Sequence, residues 1–325
     1  MSTLYIPNSI ALRNFDSIFS NNTFDFSDKN VAIGFHSNYV AMHPIGLAFY
    51  AALGDFFRLN QIQSKMTINY KIRSIPYLQR MGLFRVLGYS DPISIKEHEE
   101  SGRFIPLTKI RTSEDLVKLM KNIDPILHTT RENSRVIKHV FSELLRNVLE
   151  HSLCPLGGNV CATYNKKKKK ISIGVSDAGI GIFESIRRYH KVKNHKEALM
   201  LALTPGISGT TPRLGGTGDN AGAGLFFTKC IAQSTRNHFL IYSGDAYFKL
   251  NTTPKSKDNI FMTDPRQDFA HIKEKILLFN GTLLGIDIFI EDTAAFNNLM
   301  YRIGQAYRLG VKKAKKDYYK RIRFI

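Results

Sequence analysis

The chain has 325 residues, of which 43% are hydrophobic, enough for the buried cores of one large or two ordinary domains. It has no long apolar run, no secretory signal and no metal-ligand spacing among its three cysteines, so we expect a cytoplasmic protein with reduced thiols and no membrane span. The formal net charge of +19 suggests a nucleic-acid partner, but most of this charge comes from two segments, residues 166–170 and 302–325.

Before residue 112 the chain alternates predicted strands with predicted helices. VAIGF (31–35) and MTINYKI (66–72) have the composition of strands. PIGLAFYAALGDFFRLN (44–60) and PYLQRMGLFRVLG (76–88) have helix-like sequences, and each has a proline near its start. This alternation predicts a small α/β domain over residues 1–112.

The pattern changes at residue 113 to helices, which are followed by a strand hairpin. Ser113 has the position of a helix N-cap, and the helical pattern continues to residue 152. The lysines of residues 166–170 lie between two strand-like segments, so we predict an exposed hairpin turn there. Residues 293–325 are predicted to be a basic helix, which either docks on the domain or contacts nucleic acid or an acidic partner.

The stretch FSELLRNVLEHS (141–152) belongs to a predicted helix with one apolar and one polar face. The apolar positions recur at the spacing of a buried stripe and are Ile137, Val140, Phe141, Leu144, Leu145 and Val148. The polar positions cluster opposite them and are Glu143, Asn147, Glu150 and His151. Alone, this pattern is typical of an ordinary amphipathic helix with a solvated face.

A D-x-G-x-G sequence, formed by Asp177, Gly179 and Gly181, follows directly after a predicted strand. A carboxylate held there can accept a hydrogen bond from an exocyclic amine such as adenine N6. The glycines allow the backbone to turn sharply beneath a flat ring, where a Cβ would collide. Asp and Gly are also common in ordinary turns at strand ends, so this motif alone does not define a site.

Residues 206–224 contain seven glycines and end in an apolar, helix-like run that starts at Leu225. Glycines that open a helix leave backbone N–H groups free to face an anion, with support from the helix dipole. The stretch lacks the Gly-Lys-Ser/Thr ending of a Walker loop and does not directly follow a strand as a dinucleotide-binding loop does. We predict a mobile flap over phosphates, with a flexible surface loop as the alternative.

Three boxes occur in the order E-L-L-R-N-x-x-x-H (143–151), D-A-G-I-G (177–181) and G-x-G-x-x-x-G-A-G-L (216–225). Together they resemble the GHKL family of ATP-binding proteins, which includes gyrase, a heat-shock chaperone, the mismatch-repair ATPases and histidine kinases. The later N-G-T-L-L-G-I-D-I (280–288) is similar to the closing Gly-Thr and strand of that family. The resemblance covers residues 113–292 and implies a two-layer α/β sandwich that binds ATP and Mg²⁺.

The resemblance also assigns roles to residues. It implies that Asn147 ligates Mg²⁺, which prefers hard oxygen ligands, and that the catalytic residue Glu143 orients or deprotonates the attacking water. Asp177 would hold adenine, whereas Arg146 and His151 either neighbour the phosphates or are ordinary helix residues. The other residues implied to contact ATP are Gly179, Gly181, Gly216, Gly218, Gly222, Gly224, Leu225 and Thr282.

The first 112 residues resemble a STAS-type α/β domain, because DFSDKNVAIGF (25–35) followed by HPIGLAFYAALG (43–54) has that strand–loop–helix order. STAS regulators often carry a phosphorylatable Ser or Thr just before this helix. Met42, His43 and Pro44 occupy that junction here. We therefore do not expect this domain to accept a phosphoryl group.

Three functions are compatible with these features. The first is an ATPase that acts as a nucleotide-dependent switch in regulation or signalling, with a protein partner and with homodimer formation left open. The second is a histidine kinase or an anti-sigma-type serine kinase, although no H-E-x-x-x-P-like acceptor helix precedes the ATP-binding region and His139 shares a helix with Glu143. The third is a nucleic-acid-associated ATPase that uses the basic C-terminal segment. We favour the first.

Overall fold

The computed structural model describes residues 2–19, 25, 27–95, 104–127, 131–215, 222–252, 261–289 and 294–322. Over these residues the protein is a mixed α/β structure. Its strands are β1 (Ser2–Ile6), β2 (Ser9–Ile10), β3 (Asn30–Phe35), β4 (Ala41–Met42), β5 (Gln63–Thr67), β6 (Phe104–Ile110), β7 (Gly158–Asn165), β8 (Lys170–Asp177), β9 (Phe239–Gly244), β10 (Ala246–Leu250), β11 (Ala270–Lys273) and β12 (Phe279–Phe289). Its α-helices are α1 (Pro44–Leu59), α2 (Ile75–Arg80), α3 (Leu83–Val86), α4 (Ser113–Leu127), α5 (Arg131–His151), α6 (Gly181–Arg187), α7 (His195–Ala202), α8 (Gly224–Ser234) and α9 (Ala294–Ile322).

The largest sheet has seven strands in the order β11-β10-β9-β12-β8-β7-β6, and its neighbouring strands are antiparallel. The pairing of β8 with β12 sets Asp177 opposite Thr282. Two residues more than a hundred positions apart in the chain are thereby neighbours at one end of the sheet. The hairpin predicted around the lysine run is present, since β7 and β8 flank it and residues 166–169 form the exposed turn.

The first part of the chain forms a parallel sheet in the order β1-β3-β5, with α1 connecting β3 to β5. β6 does not join this sheet. It pairs with β7 and is the edge strand of the seven-stranded sheet, which therefore begins before residue 113. The change in sequence pattern near residue 112 does not coincide with the start of that sheet.

Three predicted elements differ in detail from the structure. The strand predicted over residues 66–72 is β5, which ends at Thr67. The single helix predicted over 76–88 is two short helices, because Gly82 between them has a φ of +79° in the left-handed region. The N-cap of α4 is Thr112 and not Ser113, since the Thr112 hydroxyl accepts the Asp115 N–H and the Asp115 carboxylate accepts the Thr112 N–H.

Helix α1 is buried along almost its whole length, from Pro44 to Phe57. A helix that is apolar on all sides must be covered on all sides, and α1 packs across β7, β8 and β12 on one face of the large sheet. Helices α5 and α8 cover the opposite face. The strands are consequently apolar on both faces, as in β9, where Leu240 belongs to the core that contains α1 and Ile241 to the core that contains α5 and α8.

Two glycines make the close approach of α1 to the sheet possible. Gly174 of β8 and Gly285 of β12 are directly paired. A Cβ on Gly174 would overlap the Pro44 carbonyl oxygen, and a Cβ on Gly285 would lie 2.7 Å from Ile45 Cδ1. The start of α1 therefore sits where the sheet has no side chains.

Buried charged groups also join α1 to the sheet. The Asp55 carboxylate of α1 accepts hydrogen bonds from Asn159 Nδ2 at 2.6 Å and from Lys109. At the other end of the helix, His43 Nε2 lies 2.9 Å from Asp287 Oδ1 of β12. Because buried charges are stable only when paired, these contacts specify how the N-terminal segment packs on the large sheet.

The C-terminal helix α9 packs against α8. Tyr307 of α9 contacts the rings of Phe226 and Phe227, with centroid separations of 6.3 and 5.9 Å, and Ile303 is fully buried. The helix predicted over the basic segment is therefore present as a docked helix. No helix in the described part of the chain is both long and apolar enough to cross a membrane.

Candidate functional site

The polar face of α5 forms one wall of a cavity of about 300 Å³. The apolar face of the same helix is buried against the large sheet, as its spacing predicts. This packing leaves Glu143, Asn147 and His151, which are four residues apart, on the cavity side. The helix is thus held by its apolar residues, and its polar residues are available to a ligand.

Most of the residues singled out from the sequence line this one cavity. They come from α5, from the end of β8, from β12 and from the segment that leads into α8. The lining includes Glu143, Asn147, Asp177, Gly181, Gly222, Gly224, Leu225 and Thr282. Gly179 is adjacent, and its N–H donates to Asp177 Oδ1 at 2.9 Å. Gly216 and Gly218 lie outside the described residues.

Asp177 is the last residue of β8 and is only 2% exposed. Burial raises the pKa of its carboxyl to about 7, although the backbone N–H groups of Gly179 and Thr282 partly oppose this shift. A carboxyl with this pKa changes charge near neutral pH. It can accept hydrogen bonds from a ligand when ionised and can donate one when protonated.

The turn that follows Asp177 is attached to the end of α5. The N–H of Ile180 donates to the Ser152 carbonyl at 2.9 Å, and a Cβ on Gly179 would overlap that same carbonyl oxygen. A glycine is therefore required for the turn to approach the helix so closely. This contact fixes the position of Asp177 relative to Asn147 and His151.

The N-terminus of α8 faces the cavity without a side-chain cap. Gly222, Ala223 and Gly224 line the wall, and the N-cap residue Ala223 has no side chain that can accept the first N–H groups. Uncapped N–H groups and the positive end of the helix dipole together favour an anion. A Cβ on Gly224 would lie 2.6 Å from Glu143 Oε2, so this helix end lies directly against the α5 carboxylate.

The side chain of Asn147 has an unused hydrogen-bonding group. Its Nδ2 atom is buried and has no hydrogen-bond partner among the described residues. Buried polar atoms are nearly always satisfied, so an unpaired amide on a cavity wall indicates that a ligand completes it. A rotated amide would present its oxygen at this point, which suits a hard cation such as Mg²⁺.

Three further polar residues of α5 line the cavity, namely Arg146, Glu150 and His151. Burial lowers the pKa of His151, so its imidazole is neutral at pH 7. Arg146 is about half exposed, and its Nε lies 3.9 Å from Glu150 Oε1. The positive charge on this wall therefore comes from Arg146.

The cavity lining also contains hydroxyl groups that were not predicted as site residues. Ser185 and Ser208 line the cavity, and Ser208 Oγ lies 2.8 Å from Thr210 Oγ1. A Cβ on Gly209 would overlap Ser185 Oγ, so the glycine allows this segment to lie close to α6. Ser208 lies within the glycine-rich stretch, which was its only signal in the sequence, and Ser185 had none.

The cavity thus combines a deeply buried carboxyl, an uncapped helix N-terminus and a polar helix face. Apolar side chains complete it and include Val175, Ile182, Ile186 and Leu284. No protein-family model matches the chain, and no curated protein with which it was compared matches it. Function must therefore be inferred from the residues and geometry of the cavity.

Proposed function

We propose that this protein binds Mg-ATP in the cavity as a GHKL-type ATPase, with a STAS-like N-terminal domain, and acts as a nucleotide-dependent switch in regulation or signalling. The observation that supports this function is the meeting of four separate chain segments around one cavity. They are residues 143–151, 177–181 and 222–225 together with Thr282. Each segment carries the residue types that an adenine nucleotide requires.

The chemistry of the walls orients the nucleotide. Asp177 accepts a hydrogen bond from the adenine N6 amine, and the apolar side chains around it cover the base. The phosphates lie at the N-terminus of α8, where backbone N–H groups and the dipole stabilise negative charge. Glycine at positions 222 and 224 permits this close approach to the backbone.

Asn147 has a role in binding, and Glu143 has a role in the hydrolytic reaction. Asn147 would hold Mg²⁺ through its amide oxygen, and a cation bound there would supply positive charge next to the phosphates. Glu143, one helical turn away on the same wall, orients the attacking water and accepts its proton. Its carboxylate lies beside Gly224 and hence beside the site proposed for the phosphates.

The same cavity would serve a protein kinase, but two of the described histidines, His139 and His43, are poorly placed to accept a phosphoryl group. His139 Nε2 is buried without a hydrogen-bond partner among the described residues, and its ring packs edge-on against Phe227. His43 uses both ring nitrogens, because Nδ1 accepts the Ile45 N–H and Nε2 contacts Asp287. For the kinase alternative we therefore favour a separate protein as the substrate.

Calorimetric titration with Mg-ATP tests the assignment of the cavity. We expect the wild-type protein to bind, and we expect Asn147→Ala to weaken binding at least tenfold because the metal loses its protein ligand. The control is Asn297→Ala, which changes an exposed asparagine of α9 and should bind like wild type. Absence of binding to the wild type, or equal binding by both variants, would contradict the proposal.

Incubation with γ-labelled ATP and Mg²⁺, with and without cell extract, separates hydrolysis from phosphoryl transfer. An ATPase releases labelled phosphate in the absence of extract. A kinase instead transfers the label to a protein in the extract. If ATP binds but neither product forms, the nucleotide acts as a bound ligand and the proposed hydrolytic step is wrong.

A further inference from the structure

The outer face of α9 carries a continuous row of positive charge. Arg308, Lys312 and Lys316 are exposed and four residues apart, so they lie on one stripe of the helix. Asp317 is the only acidic residue between Ala294 and Ile322. No ion pair to the three stripe residues is present in the part of the chain that the structure describes.

The apolar face of α9 is already used. Ile303 is fully buried, Tyr307 packs on the phenylalanines of α8, and a Cβ on Gly310 would lie 2.8 Å from Pro205 Cγ. Among the described residues, these contacts hold the helix on the protein through its apolar face. The charged face is left exposed to solvent, where it can attract a partner of the opposite charge.

The stripe matches a nucleic-acid backbone in sign and length. At 1.5 Å per residue, the Arg308 to Lys316 segment is about 12 Å long, which corresponds to about three to four phosphates along one strand of a duplex. Tyr301 is 62% exposed at the other end of the same face and can stack on a base. The helix therefore has both types of group that bind nucleic acid without reading its sequence.

A membrane surface fits this helix less well. Helices that lie on membranes insert a wide apolar face between the lipid headgroups. In α9 that face is covered by α8 and by Pro205, and the large apolar side chains left exposed on its described part are Tyr301 and Leu309. We infer that the outer face of α9, comprising Tyr301, Arg308, Lys312 and Lys316, binds the phosphate backbone of nucleic acid.

Fluorescence anisotropy with the full-length protein tests this inference without ATP. The probes are labelled single-stranded DNA, duplex DNA and single-stranded RNA of about 20 nucleotides, titrated over a range of salt concentrations. We expect affinity to fall steeply with salt, because binding releases counterions. The probe that the protein binds with the highest affinity identifies the form of nucleic acid that this face of α9 prefers.

The variant Arg308→Gln/Lys312→Gln/Lys316→Gln should bind at least tenfold more weakly. The slope of log affinity against log salt should become shallower by about two to three, roughly one per phosphate contact removed. The matched control is Lys166→Gln/Lys167→Gln/Lys168→Gln, which removes the same charge from the exposed β7–β8 turn and should bind like wild type. Thermal melting checks that both variants are folded. If the triple variant of α9 melts early, Lys312→Gln alone is tested instead, and it should make the salt slope shallower by about one.

Three results would overturn the inference. The first is the absence of binding to all three probes at low salt. The second is an equal effect, or no effect, of the two triple variants, which would show that binding depends on overall charge or on another surface. The third is tighter binding to polyglutamate or to phosphatidylserine vesicles than to every nucleic-acid probe.

Discussion

Glu143 and Asn147 share one face of α5 but differ in what surrounds them. The amide nitrogen of Asn147 is buried and has no hydrogen-bond partner in the part of the chain that the structure describes, whereas the Glu143 carboxylate lies against the backbone at the start of α8. The surroundings of Asn147 suit a residue that binds the ligand in its ground state. Those of Glu143 suit a residue that acts on a molecule held between α5 and α8. Substitution can separate these two roles.

We expect Glu143→Gln to retain Mg-ATP binding and to lower hydrolysis by roughly two to four orders of magnitude. The amide keeps the shape of the side chain but cannot accept a proton, so the loss falls on the transition state. Binding is measured by calorimetry and turnover by phosphate release. Glu184→Gln, which changes a partly exposed glutamate of α6, is the control. Wild-type turnover by Glu143→Gln would remove Glu143 from the catalytic role and leave the binding site intact.

If ATP binds as proposed, Asp177 should make nucleotide affinity dependent on pH. Burial raises its pKa to about 7, and the ionised form is the better acceptor for the adenine amine. Affinity should therefore rise by about tenfold from pH 6 to pH 8 and level off above that range. Calorimetry at several pH values provides the measurement.

The variant Asp177→Asn isolates this effect from the titration of ATP itself. It should bind adenine nucleotides more weakly at pH 8, because its amide offers one acceptor oxygen and could present donors to the N6 amine. Its affinity should also lose the part of the pH dependence that Asp177 causes. The same pH profile in both proteins would mean that Asp177 does not contact the base.

At the scale of elements, the site depends on how closely α8 approaches α5. Gly224 begins α8, and a Cβ there would lie 2.6 Å from Glu143 Oε2 and 3.3 Å from Asn147 Nδ2. Both atoms are ends of side chains, which can move at little cost to the fold. The contact is therefore more important to the geometry of the site than to stability.

We expect Gly224→Ala to fold normally and to hydrolyse ATP at least tenfold more slowly, because the added methyl group displaces Glu143. Gly304→Ala is the matched control, since Gly304 is also helical and a Cβ there has only Arg308 Nη2 within 4 Å, at 4.0 Å. That control should keep full turnover. Equal turnover by the two variants would show that the approach of α8 to Glu143 is not required.

At the scale of the molecule, the large sheet lies between the cavity on one face and α1 on the other. Ser176, next to Asp177 in β8, donates from Oγ to the Ala48 carbonyl of α1 at 2.6 Å. On the cavity side, α9 approaches the glycine-rich stretch, since a Cβ on Gly215 would lie 3.3 Å from Val311 Cγ1. Both terminal parts of the chain thus contact elements that form the cavity.

Because α1 shares a core with the sheet, a change at their contact should destabilise the whole protein. In Gly174→Ala the new methyl group would overlap the backbone of Pro44, which cannot move aside as a side chain can. We expect the free energy of unfolding to fall by about 1–3 kcal/mol, in a single transition. Urea unfolding followed by circular dichroism measures this change.

Gly34→Ala provides the comparison for this substitution. Gly34 is also a strand glycine, but the nearest atom to a Cβ there is Tyr5 Cδ2 at 4.0 Å, so we expect little destabilisation. If both variants unfold at the same urea concentration, α1 is not packed on β8 as the structure has it. Two separate transitions in the wild type would likewise contradict a shared core.

The amino-acid sequence by itself determined the local features of this protein. The spacing of apolar residues predicted α5 and its buried face, and the lysine run marked the turn between β7 and β8. The glycines after Asp177 likewise indicated a sharp turn at a strand end. These features follow from periodicity and backbone freedom over a few residues, and such signals are present in the sequence itself.

Only the tertiary structure decided which of these features meet. Strand pairing sets Asp177 opposite Thr282, adds β6 to the large sheet, and aligns the two glycines on which α1 rests. The fold also brings Ser185 of α6 and Ser208 of the segment after α7 to the same cavity. Periodicity shows that a face is buried but not which element covers it, because contacts between distant segments depend on the fit of the whole core.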